Sequence, residues 1–129
     1  MPGARVFASP SRYLQGPGAL DRLGELLAPF GSVPIVVTDA PVLALLGGRI
    51  RTGLAGAGLE PHVLTLDGEI THDAVDALAG ACAGLDASLV VGIGGGKSLD
   101  AAKSVALRLE LPVVTVPTIA SNDSPTSSA

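Results

Sequence analysis

The densest concentration of residues able to do chemistry is Gly92-Ile93-Gly94-Gly95-Gly96-Lys97-Ser98-Leu99-Asp100, between an apolar run and a helical pattern. Glycines in such a place let the backbone approach a ligand closely and leave the first amides of the helix available to an anion. A pyrophosphate fits that description. Two familiar phosphate loops are excluded by spacing: a P-loop would need glycine where Val91 stands, and the GxGxxG fingerprint would need it where Lys97 stands. A tight strand-to-helix turn without a ligand stays open as the alternative. Lys97 favours the ligand, because a cation at a helix N-terminus is unfavourable by about 0.3–1 kcal/mol and a bound anion would offset that. Otherwise Lys97 points into solvent. Asp100 is favoured there by the helix dipole alone and reads as structural.

Asp39 follows the apolar run Val33 to Thr38 and would lie at a strand's carboxyl end, where open α/β sheets bind their ligands. It could accept from a ribose hydroxyl or cap the helix that follows, and the local sequence does not separate the two. As a ribose acceptor it would repel a 2′-phosphate and favour NAD over NADP. Thr118, Ser121, Asn122, Asp123 and Ser127 leave a further strand on the same edge, although polar residues of this kind occur in any loop. His62 and His72 lack the spacing of a ligand pair, and no Ser–His–Asp or Cys–His arrangement stands out. No metal site is expected from these residues. Cys82 lies on an apolar helix face and reads as core.

The elements that must position these groups alternate. Strands are expected at Val33–Thr38, Pro61–Leu66, Ser88–Ile93 and Pro112–Val116, with a short one near Tyr13–Gln15. Continuous apolar strands without polar alternation are the mark of a sheet covered on both faces. Helices are expected between them: one opened by Pro17-Gly18 with a Leu20, Leu23, Leu27, Phe30 stripe, and one over Pro41–Ala57 that four glycines weaken. A third is capped by Thr71 and carries Val75, Leu78, Cys82 and Leu85. The last spans Lys97–Leu109 with Leu99, Ala102, Ala106 and Leu109 on one face. The order predicts a doubly wound α/β fold with a mainly parallel sheet.

Composition removes whole classes of function. The chain's 129 residues amount to a single domain, with 47% hydrophobic and 16% charged residues, enough apolar material for a core. Phe7, Tyr13 and Phe30 are its only aromatics, too few for a base-stacking platform. The net charge of −4 has the wrong sign for a phosphate-backbone binder, so no nucleic-acid partner is expected. Apolar stretches such as Leu89–Ile93 are strand length, which argues against a membrane partner. A single cysteine and no signal-peptide pattern suggest the cytoplasm.

Val91-Gly92-Ile93-Gly94-Gly95-Gly96-Lys97-Ser98-Leu99-Asp100-Ala101-Ala102-Lys103, followed by Val116-Pro117-Thr118-Ile119-Ala120-Ser121-Asn122-Asp123-Ser124-Pro125, resembles the glycerol dehydrogenase family. That family lies in the iron-type, group III metal-dependent alcohol dehydrogenase superfamily. Ser9 to Ala19 and the Gly68-Glu69 turn resemble it too, so the likeness runs along essentially the whole chain but matches only the front part of a family member. The resemblance implies a Rossmann-like, dehydroquinate synthase-like NAD-binding domain over residues 1–129. It further implies a helical domain beyond residue 129 that brings an aspartate and two histidines to zinc or another divalent metal. Matched by motif, Asp39 would bind the adenine ribose, Gly94, Gly95, Gly96, Lys97 and Ser98 would cradle the pyrophosphate, and Thr118 and Ser121 would line the cofactor. Ser127 would approach the nicotinamide, and Asp123 would touch a polyol such as glycerol. The family usually has Thr at Asn122 and Ala at Ser124, and neither difference removes one of these ligands. A homo-oligomer is implied for the full-length protein. Two other readings are weighed beside it. A glycerol-1-phosphate dehydrogenase or sugar-phosphate cyclase would call for basic residues that Thr118–Ser127 lacks, and a nucleotide-binding module without dehydrogenase activity would call for the missing P-loop spacing.

Overall fold

The apolar runs form strands that lie side by side, and their polar boundaries decide where pairing begins. In the computed structural model, which describes residues 12–13, 20, 22–66 and 70–118, β1 is Arg12–Tyr13, β2 Pro34–Asp39, β3 His62–Leu66, β4 Leu89–Gly94 and β5 Val113–Pro117. Among the described residues all four strand pairings are parallel, in the order β1-β5-β4-β2-β3. The helices are α1 (Leu23–Leu27, continued by a 3-10 turn over Ala28–Phe30), α2 (Ala40–Ala55), α3 (His72–Cys82) and α4 (Gly96–Leu109).

Strands β2, β4 and β5 begin and end one residue later than expected. At the start, Val33 and Ser88 pair outside the ladder: the Val33 N–H donates to Ser88 Oγ at 3.2 Å and the Ser88 N–H to the Val33 carbonyl at 2.8 Å. At the far end, Asp39 still pairs with Leu66, and Gly94 with Pro117. Extension to the carboxyl side matters, because it carries both candidate ligand residues onto the sheet's rim. Of the expected strand at Tyr13–Gln15, Tyr13 lies in β1 and the rest lies outside the described residues, as do Pro17-Gly18 and Gly68-Glu69.

Two apolar layers sandwich the sheet. Leu20, Leu23, Leu27, Ile50 and Leu54, from α1 and α2 with the residue preceding α1, cover Val36, Val91, Ile93, Val114 and Val116. On the other face α3 and α4 bring Val75, Cys82, Ala101, Ala102, Val105 and Ala106 onto Ile35, Val37, Val90 and Val113. Such continuous burial of β2 and β4 is what an all-parallel sheet needs, since crossover helices cover both its faces. β3 is the exception: it is only half-buried, with His62 and Thr65 exposed. The fold is thus the doubly wound α/β arrangement expected from the sequence.

Helix α2 forms in spite of its glycines. Asp39 caps it, Pro41 occupies its first turn, and Gly47, Ile50 and Leu54 give it a buried edge. Thr71 caps α3 as expected, its hydroxyl accepting from the Ala74 N–H at 3.0 Å. The inward face of α4 is the expected one only in part: Ala102 and Ala106 lie on it. It is made of Ser98, Ala101, Ala102, Val105 and Ala106, while Leu99 and Leu109 are half-buried at its margins.

Candidate functional site

The chain passes from β2 to β3 on one side, returns through α3 to β4, and goes on to β5 on the other. Between β2 and β4 the winding therefore reverses. At such a switch point the loops leave the sheet in opposite directions and open a crevice beyond the strands' carboxyl ends. Register places Asp39 and Gly94 level with one another there, since Val37 pairs with Gly92 two residues earlier.

Both oxygens of the half-buried Asp39 carboxylate are engaged. Oδ1 accepts from the Val42 N–H at 2.9 Å, the capping bond of α2, and Oδ2 accepts from the Ser98 hydroxyl at 3.1 Å. Ser98 is fully buried. Gly94 lies beside them with φ of 142°, and a Cβ there would come 2.9 Å from Ser98 Oγ and 3.3 Å from Asp39 Oδ2. Glycine is needed at that position for its backbone and for the room it leaves. The Thr118 N–H donates to the Gly94 carbonyl at 3.0 Å, which ties the exit of β5 to the same rim.

Gly95 and Gly96 are different. A Cβ at either would meet no atom within 4 Å among the described residues, which therefore give no reason for the absence of side chains. Gly95 caps α4 in an extended conformation without a side-chain bond, and the first helical bond runs from the Leu99 N–H to the Gly95 carbonyl. The amides of the first turn, from Gly96 to Ser98, precede that bond at the open end of the helix. Space in front of the first turn of α4, which has no acidic residue, suits the phosphates of a dinucleotide. Lys97 and Asp100 are exposed.

Of the expected site residues, the structure brings together Asp39, Gly94, Gly95, Gly96, Lys97, Ser98 and Thr118. Ser121, Asp123 and Ser127 lie outside the described residues. For Asp39, the helix-cap reading is realised, and the carboxylate keeps further lone pairs for a ligand. The contact between Ser98 and Asp39, 59 positions apart, was not foreseen. Its signal was the stripe Ser98, Ala101, Ala102, Val105 at helical spacing, which turns Ser98 toward the sheet. The neighbouring Thr38 is fully buried, and its hydroxyl has no partner among the described residues. By strand alternation it faces the layer of α1 and α2, away from the crevice. Cys82 is buried in the core, which pushes its thiol pKa up and leaves it a poor nucleophile. His62 and His72 are exposed, and no three His, Cys, Asp or Glu side chains gather among the described residues. Two surface grooves, about 480 Å³ beside α2 and about 680 Å³ between α3 and α4, include no residue of the crevice.

Residues 10–129 match the model of the family described as iron-containing alcohol dehydrogenase. The chain belongs to that family. Its similarity to individual proteins points the same way: it is 42% identical over 123 residues to a glycerol dehydrogenase of Pseudomonas putida, covering 95% of this chain and 34% of that one. With a glycerol dehydrogenase of Escherichia coli the identity is 37% over the same shares. The crystal structure of glycerol dehydrogenase from Schizosaccharomyces pombe superposes with a TM-score of 0.76 at 30% identity, over 88% of this chain and 29% of that one. The chain thus spans about a third of the length of the curated relatives it matches. No described helix is long and apolar enough to cross a membrane.

Proposed function

We propose that this chain supplies the NAD-binding part of a metal-dependent polyol dehydrogenase that oxidises glycerol. The observation that carries the reading is the meeting of Asp39 with the open Gly95-Gly96 turn at the switch point between β2 and β4. The amides of Gly96, Lys97 and Ser98 hold the pyrophosphate, with Gly94 and Gly95 giving it access and the Lys97 ammonium adding positive charge. Asp39 accepts from the adenosine ribose, and its charge turns away a 2′-phosphate. Thr118 and Ser121 line the cofactor, Ser127 approaches the nicotinamide, and Asp123 orients the polyol.

When bound, the dinucleotide takes up the hydride leaving the carbinol carbon. The described residues do not fit a metal, so zinc or another divalent ion belongs in this proposal only to the helical domain expected beyond residue 129. The proposal sets the activity in the cytoplasm, in a homo-oligomer of the full-length protein, with neither nucleic acid nor membrane as partner.

Gly95→Val tests it. The new Cβ has no described atom within 4 Å and the change costs α4 about 1 kcal/mol at its cap, yet it fills the phosphate approach. NADH fluorescence titration should show affinity weakened about tenfold, or 1.4 kcal/mol, with an unchanged circular dichroism spectrum. Unchanged affinity in a folded variant would end the assignment.

A further inference from the structure

Ser98 was expected among the residues that cradle a pyrophosphate, but its hydroxyl is turned elsewhere. It is fully buried beneath Gly94 and donates to Asp39 Oδ2 at 3.1 Å. We propose that Ser98 is a positioning residue that clamps the Asp39 carboxylate and thereby sets the preference for a dinucleotide with a free adenosine 2′-hydroxyl. The inference rests on the dinucleotide reading above and adds to it a separate task for one side chain.

The two bonds that hold the carboxylate come from opposite faces of the sheet. The Val42 N–H belongs to α2 and the Ser98 hydroxyl to α4, which cover different layers. A carboxylate held by one bond alone can rotate about its side-chain torsions; held at both oxygens from two sides, it presents one fixed edge. Asp39 is half-buried at the carboxyl rim of β2, so part of its side chain stays open to a ligand there. Gly94 is part of the device, since a Cβ there would come 3.3 Å from Oδ2 and 2.9 Å from the serine oxygen.

Orientation decides selectivity here. Accepting from a ribose diol needs oxygen lone pairs in one direction, and repelling a 2′-phosphate needs the charge kept in its path. A loosened carboxylate loses the diol bonds and swings away from the phosphate, so affinity for NAD falls while affinity for NADP holds or rises.

The test is a set of NAD and NADP titrations on the chain and three variants: Ser98→Ala, Asp39→Gly and the double variant. The parent chain is expected to prefer NAD. Ser98→Ala should narrow that preference about tenfold, the lower end of the scale for losing a hydrogen bond to a charged group. In the Asp39→Gly background the same substitution should change nothing further, since the group it positions is gone. Ser98→Cys keeps the packing but donates weakly and should narrow the preference as alanine does, which covers the case of an alanine variant that does not fold. An unchanged NAD-to-NADP ratio in Ser98→Ala or Ser98→Cys, or an equal loss for both cofactors in both backgrounds, overturns the proposal, the second outcome placing Ser98 directly on the phosphates. A parent chain that binds NAD and NADP equally removes this proposal and leaves the dinucleotide reading standing. A parent chain that binds neither removes both.

Discussion

Asp39 performs two tasks that sequence reasoning set against each other. It caps α2 through Oδ1, and it offers a carboxylate to the crevice. Substitutions separate the tasks. Alanine is a poor cap and glycine a tolerable one, so Asp39→Ala is expected to lose about 1 kcal/mol and Asp39→Gly only a few tenths from the cap. Both lose the Oδ1 capping bond and the partner of Ser98, so the difference between them reads how well each residue suits the cap backbone, apart from the ligand task. Urea unfolding gives the stabilities, and NAD titration should show both variants weakened alike. Equal stability of the two would mean that the cap position of α2 does not distinguish glycine from alanine. The carboxylate's position was readable from the sequence, because a polar residue after an apolar strand marks its carboxyl end. Its partner was not readable, because Ser98 lies 59 positions away and only the packing of α4 brings it near.

The strands were legible because parallel sheets demand uninterrupted apolar runs, and the cap at Thr71 because its residue type has few other uses. What misled was the face of α4. Hydrophobicity singled out Leu99 and Leu109, yet the sheet takes the small residues. The reason lies in Gly92: a Cβ there would stand 2.6 Å from the Ala102 Cβ, so helix and strand approach more closely than leucines allow. Large side chains are pushed to the margins of such a contact, and the turn after β4 is held close to the rim. Gly92→Ala is therefore expected to cost about 1–3 kcal/mol as α4 is forced outward. A urea midpoint within error of the parent would show that the contact yields freely. Because Gly92 lies within the strand and not at the turn, NAD affinity should fall less than in Gly95→Val.

The chain as a whole supplies the crevice proposed for the cofactor and, among its described residues, no cluster of metal ligands. An alcohol gives up hydride readily only once its proton is lost, and a metal bound to the hydroxyl oxygen would favour that loss by lowering its pKa. Residues 1–129 alone are expected to bind NAD and yet to reduce none of it with glycerol and zinc present, read as absorbance at the NADH band. Metal-dependent turnover would place the catalytic ligands within residues 1–129.

The pairing of β1 has a consequence in time. Arg12 and Tyr13 pair with Val114 and Thr115, at nearly the opposite end of the chain, whereas β2 meets β3 and β4 meets β5 across single crossovers. Closing a loop fourfold longer costs about 1 kcal/mol more in chain entropy. During synthesis β1 emerges before the strand it pairs with and must wait, unpaired, for β5. The β2–β3 and β4–β5 units can assemble early, their junction between β2 and β4 next, and the outer edge only when β5 is in place. The seam that forms last is then the one beside β5, so an edge of the finished sheet stands open for longest where nascent chains are most crowded.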